Sequence, residues 1–155
     1  MKIGAPTTWM AIRVHLVSGR DFEPEKPPGR IMLASSAHTF AELGFAIDRA
    51  LGRWELSHEH MFKLADGTEL MLNGDIDGEG PDSVTAPLSL LEAKVGTKFE
   101  YTFDLGDCWE HLCEVVQIPV PLEEVPALPP VPVAVFGWGF IPDQHGRLDD
   151  SDFSP

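Results

Sequence analysis

Residues 9–18 alternate cleanly. Met10, Ile12, Val14 and Leu16 fall on one side of the chain, and Ala11, Arg13, His15 and Val17 on the other. A period of two predicts a half-buried strand. Residues 21–29 form a charged, proline-rich loop, and the apolar run 30–34 predicts a second strand beside the first. At Thr39 the period changes. Phe40, Leu43, Ile47, Ala50 and Leu51 recur at helical spacing and leave Glu42, Asp48 and Arg49 for solvent. Thr39 and Glu42 make the capping-box pattern, and Gly52 is placed to stop the helix in a left-handed conformation.

Residues 61–64 and 68–72 read as a hairpin around Asp66-Gly67, a strong turn signal. Residues 73–82 are glycine-rich and acidic. Asn73, Asp75, Asp77 and Gly78 match the early positions of a calcium loop, but Val84 stands where its closing Glu belongs, so a solvated turn is the reading. Residues 87–93 suit a short helix or turn. Phe99, Tyr101, Phe103 and Leu105 make one apolar face of a strand. Gly106-Asp107 then carries the Gly-X mark of a two-residue type II′ turn. The return strand is apolar on both sides, which places it inside the sheet. Six prolines between residues 119 and 132 exclude a central strand or helix. Residues 133–147, aromatic again over 133–142, are expected to dock back on the core, whereas 148–155 are expected to fray. The fold class expected is α+β: a mixed, mainly antiparallel sheet packed on one main helix at about 39–51, in one domain over 8–118 with a proline-rich C-terminal arm.

Composition narrows the function. Hydrophobic residues make up 43%, enough for one core in 155 residues. No apolar run reaches the roughly 20 residues of a membrane helix, and the first residues lack a secretory apolar segment, so no membrane association and a cytoplasmic location are expected. Cys108 and Cys113, five apart on one strand, would face opposite sides and stay reduced. The net charge is −14. Residues 1–60 are neutral, with seven basic and seven acidic groups, so the remainder holds four of the 11 basic and 18 of the 25 acidic residues. Such a surface repels phosphate backbones and excludes nucleic acid as a partner.

The stretch Tyr101-Thr-Phe-Asp-Leu-Gly-Asp-Cys-Trp-Glu-His111 resembles the Y-x-Y-D-F-G-D-x-W-x-H signature of the Ri-plasmid open-reading-frame-three-like domain family. Thr39-Phe-Ala-Glu-Leu43, Ala50-Leu-Gly-Arg-Trp54 and Ser57-His-Glu-His-Met-Phe62 are similar to that family's helix and its following G-W…S-H-L-H-x-F segment. The resemblance spans about residues 8–118. Arg53 is inserted between Gly52 and Trp54, and Cys108 replaces a commoner acid. The resemblance implies an α+β fold in an uncharacterised family. Some members carry resolvase or repressor labels, against which the −14 charge and the lack of a recognition-helix pattern argue.

The candidate chemistry lies in His58, His60, Asp107, Cys108, Trp109 and His111. Imidazoles with a carboxylate or thiol are what zinc selects, and His58 and His60 share a face if they lie on a strand. The preferred reading is a non-catalytic module that binds a protein or small ligand through Asp107, Trp109, His111, His58 and His60, aided by residues 136–140, with no cofactor. The alternative is a divalent-metal-dependent hydrolase with ligands from His58, His60, Asp107 and His111, and Glu59 or Glu110 as base. A third is that the cluster only specifies the fold, with His111 buried against a partner such as Glu59 or Asp104. Cys108 lacks the electropositive setting of a nucleophilic thiol.

Overall fold

The alternation over residues 9–18 builds strand β1 (Trp9–Ser18), which pairs on both sides and so lies well inside a sheet. The computed structural model describes residues 7–53, 59–71, 82–142 and 144. Around β1 are β2 (Gly29–Ser35), β3 (His60–Leu64), β4 (Glu69–Met71), β5 (Lys98–Phe103), β6 (Trp109–Gln117) and β7 (Val133–Trp138), in the order β4-β3-β5-β6-β1-β2-β7. Every neighbouring pair is antiparallel.

This corrects the α+β expectation. The fold is predominantly β, with a single α-helix, α1 (Phe40–Ala50), among the described residues. Residues 133–138 add an edge strand to β2, because the prolines end at Pro132 and leave a β-branched and aromatic run. Leu88–Leu91 closes one 3-10 turn, as the short helix or turn expected of 87–93 allows. The calcium-loop stretch lies almost wholly outside the described residues.

Strand parity gives the sheet two different faces. On one, Met10, Ile12, Val14 and Leu16 of β1 meet Phe62 of β3, Phe99, Tyr101 and Phe103 of β5 and Trp109, Cys113 and Val115 of β6. Helix α1 contributes Phe40, Leu43 and Ile47 to the same cluster, joined by Leu51. Each of the large side chains removed from water here contributes about 1.5–3 kcal/mol before entropy. On the other face, Trp9, Ala11 and Leu33 pack with Val120 and Val125 of the proline-rich arm. The Val120 N–H donates to the Trp9 carbonyl at 2.8 Å and ties the arm down. The arm covers one end only.

Helix α1 starts as its sequence dictates. The Glu42 N–H donates to Thr39 Oγ1 at 3.1 Å, and the Thr39 N–H donates to Glu42 Oε1 at 2.8 Å. At the other end Gly52 takes φ +76° and Arg30 Nε donates to the Ala50 carbonyl at 3.0 Å. The helix approaches the sheet closely at Gly44, where a β-carbon would lie only 3.0 Å from the Tyr101 ring. No helix of the described residues is long and apolar enough to cross a membrane. Thr39→Ala is expected to lower stability by about 1 kcal/mol in urea titrations; an unchanged midpoint would contradict the capping role.

Candidate functional site

The β5–β6 hairpin carries the signature residues, and its loop is longer than a two-residue turn. The last pair is Phe103 with Trp109, so the loop runs over residues 104–108. Its left-handed positions are Asp104 (φ 62°) and Cys108 (φ 52°), not Gly106. The acid makes the difference: Asp104 Oδ1 accepts the amides of Gly106 at 3.0 Å and Asp107 at 3.3 Å. A short carboxylate that ties down following amides tolerates the left-handed region and replaces the glycine-led turn. Asp107 sits at the surface, paired with Arg20 at 3.3 Å. Cys108 lies in the loop, not the strand, with Sγ 3.2 Å from the Leu105 carbonyl. Cys113 is buried, and that burial pushes its thiol pKa up.

Beneath α1 the signature builds a polar network inside the core. The Tyr101 hydroxyl donates to Asp48 Oδ2 at 2.7 Å. Asp48 was expected to face solvent; it is 0% exposed. Burial raises its pKa to about 7, against the pull of Arg53 and of the Tyr101 hydrogen bond. Arg53 is also buried, with Nη1 4.0 Å from Asp48 Oδ1. Its guanidinium lies over the Phe103 and Trp109 rings at 5.6 and 5.2 Å from their centroids, which stabilises a desolvated cation.

Two imidazoles contact the Tyr101 ring. His111 Nδ1 lies 2.9 Å from the Tyr101 carbonyl. A carbonyl only accepts, so Nδ1 carries the proton and Nε2 keeps its lone pair in the neutral ring. Burial, and then the Arg53 charge, hold the His111 pKa well below its usual value. His60 Nε2 lies 2.7 Å from Ser83 Oγ, and burial lowers its pKa to about 4. The two rings stand on β3 and β6, the strands on either side of β5, and both contact Tyr101.

The residues singled out in the sequence are therefore divided among different places. His60 and His111 are brought together at Tyr101 and Trp109 lies against Arg53, but all three are buried by the core. Asp107 is at the loop surface. His58 lies outside the described residues. No three His, Cys, Asp or Glu side chains of the described residues gather to hold a metal. Glu110 projects from the opposite face of β6 and accepts from the Ser18 hydroxyl at 3.0 Å. Sequence reading missed Asp48 and Arg53, the charged centre of the network. Asp48 stands eight residues after Phe40 and four after Gly44, on the apolar stripe itself, and that spacing was the available signal.

A surface concavity lies elsewhere, on the uncovered face of the sheet. Four strands from three separate parts of the chain line it: Arg13 and His15 of β1, Leu112 and Glu114 of β6, Lys98 and Glu100 of β5, and Lys63 of β3. Its volume is about 370 Å³. Leu112, 50% exposed, supplies apolar surface. Arg13 and Glu114 pair at 3.0 Å, and the strand register sets Lys63 opposite Glu100 and Lys98 opposite Glu114. Beyond His15 the Trp138 ring contacts its imidazole, 5.4 Å between centroids. Trp138 reaches across β2 because residue 29 is glycine; a β-carbon there would lie 2.3 Å from the ring.

The family model described as plasmid pRiA4b ORF-3-like protein matches residues 21–139. The chain belongs to that family. The matched stretch begins after β1 and includes the proline-rich arm and β7. Among solved structures, the protein of unknown function MM3350 from Methanosarcina mazei Go1 is similar, with a TM-score of 0.65 and 22% identity over 84% of this chain and 70% of that one. At that identity the likeness concerns the fold alone. No curated protein matches. In this chain the signature residue Tyr101 binds Asp48, Trp109 stacks on Arg53, His111 bonds the Tyr101 carbonyl, and Asp104 shapes the loop.

Removing one member of the pair should cost far more than removing both. Asp48→Asn leaves Arg53 without its counter-ion and is expected to lose roughly 3–5 kcal/mol at pH 8, while Asp48→Asn with Arg53→Met recovers much of it in urea titrations. Equal, additive losses would contradict the coupling.

The network also sets a pH dependence. Asp48, raised from 3.8 to about 7, favours the folded state fully below 3.8 and loses that contribution as pH rises through 7. His60, lowered from 6.5 to about 4, contributes fully above 6.5 and loses it as pH falls through 4. With His111 lowered as well, two imidazoles oppose one carboxyl, so stability should fall between pH 6.5 and 4. Asp48→Asn should steepen the fall; an unchanged slope in urea midpoints would count against the buried carboxyl.

Proposed function

We propose that this protein is a non-catalytic binding module whose ligand sits on the open face of the sheet, in the concavity between Lys63, Lys98, Leu112 and His15. The observation that carries the reading is the built shape of that face. It is concave, its floor is apolar, and its volume of about 370 Å³ falls in the range of small-molecule sites. The seven-stranded order supports it by holding Arg13, Leu112, Lys98 and Lys63 on four adjacent strands, a rigid platform.

Charge selects the class of ligand. Arg13, Lys63 and Lys98 outnumber Glu100 and Glu114 at the concavity, in a chain whose net charge is −14. An apolar molecule bearing a carboxylate meets Leu112 with its body and the lysines with its charge. The same anionic balance elsewhere disfavours nucleic acid. The signature residues Trp109 and His111 act beneath this face, holding the strands in register rather than touching the ligand.

Octanoate is a suitable probe, with octylamine as its cationic counterpart. Saturable shifts of the Leu112 and Lys98 amide resonances with octanoate, absent with octylamine, are expected. Lys63→Glu with Lys98→Glu should weaken the octanoate titration about tenfold, of the size an interfacial charge pair commonly supplies. Equal response to both probes, no response, or a response unchanged by these substitutions contradicts the reading.

A further inference from the structure

The two edges of the sheet are treated differently. One edge, β4, is three residues long, carries Glu69, and is partly covered by the Met71–Asp82 bridge. The other edge, β7, is six residues long, Val-Ala-Val-Phe-Gly-Trp, with no charge along it. Its middle four residues are solvent-exposed, Phe136 at 65%. An edge strand that is apolar and uncharged is a template for another strand, and proteins usually blunt it with charge, proline or cover. Here Pro132 stands only at its entry. Between Ile31 and Met32 the register skips Val135, so β7 itself carries a β-bulge, which interrupts the ladder at one residue and adds no charge to the edge.

We infer that β7 is an association surface for a second copy of this chain. The charge pattern chooses the occupant. Residues 125–142 contain no ionisable side chain, in a chain with 25 acidic groups. A basic partner strand would be selected by acids along the edge, and this edge has none. Two copies meeting here avoid the repulsion that a −14 chain imposes on contacts elsewhere. Arg30, which packs over Gly137, is already engaged with the Gly29, Ala50 and Trp138 carbonyls.

The geometry is that of an isologous pair. Antiparallel pairing of β7 with itself, about a two-fold axis normal to the sheet, joins two seven-stranded sheets into one. It keeps both open faces on the same side. The ladder alone is short, so the exposed Val131, Val135, Phe136 and Phe140 supply the apolar contact. The inference stands on the edge and its charge, independently of any ligand in the concavity.

Sedimentation equilibrium of the full chain in physiological salt tests it. At about 10–200 µM, a range suited to small, transient interfaces, a reversible species of twice 17.1 kDa is expected. Val135→Lys with Phe136→Lys should return it to a monomer with an unchanged far-UV spectrum. Amide exchange on the wild-type chain gives a second readout that needs no variant. Residues 133–138 should gain protection as concentration rises, while β4 does not. A monomer throughout that range overturns the inference, including a monomer that instead pairs with an added lysine-flanked strand peptide. So does a dimer that survives the lysine substitutions without concentration-dependent protection of β7.

Discussion

The Tyr101 hydroxyl reaching Asp48 under helix α1 is the contact on which the rest of the arrangement hangs. It joins the one helix to the central region of the sheet inside an apolar layer, where an unmatched carboxylate is very costly. The contact exists only because Gly44 lets the helix settle against the Tyr101 ring. Burial drives the Asp48 carboxyl towards its neutral form, and Arg53, entering just past the end of the helix between Phe103 and Trp109, opposes that rise. The guanidinium in turn requires a neutral imidazole nearby, and His111 is held in that state by its bond to the Tyr101 carbonyl. One polar contact therefore dictates the chemical state of four side chains.

In this chain the cluster of acid, indole and imidazole groups has a structural use, built around Tyr101, Trp109 and His111. Replacing such a network with apolar residues of similar volume is often neutral or favourable for stability, so its use points to specificity. A helix that must match Asp48 to Tyr101 and Arg53 to two rings has one register against the sheet, whereas an apolar stripe alone tolerates several. The loop follows the same logic, with Asp104 shaping it and Asp107 fastening it to Arg20 at the end of β1.

Much of the fold was legible because local signals and tertiary packing agree. The alternation of β1, the capping box at Thr39, the Asp66-Gly67 hairpin and the buried position of β6 all follow from period and turn chemistry. Asp48 was misjudged because a charged residue on a helix is assigned to solvent by default, although its spacing placed it on the buried stripe. Arg53 looked like an insertion; its role needs Phe103 and Trp109, which are fifty or more residues away. β7 was obscured by the prolines before it. The concavity could not be read at all, since it exists only where β1 and β3 lie on either side of the β5–β6 hairpin. The uncovered face and the bare β7 edge are likewise properties of strand order.

The central claim is that the signature histidine is a neutral structural element locked beneath the helix. The most direct test is imidazole nitrogen NMR on His111 in the folded protein as pH is lowered from 8 toward 4, a window that spans the ordinary histidine pKa of about 6.5. The account predicts a proton on Nδ1, an unprotonated Nε2, and no titration through the usual histidine range. A ring that titrates near 6.5, or that carries its proton on Nε2, would contradict it.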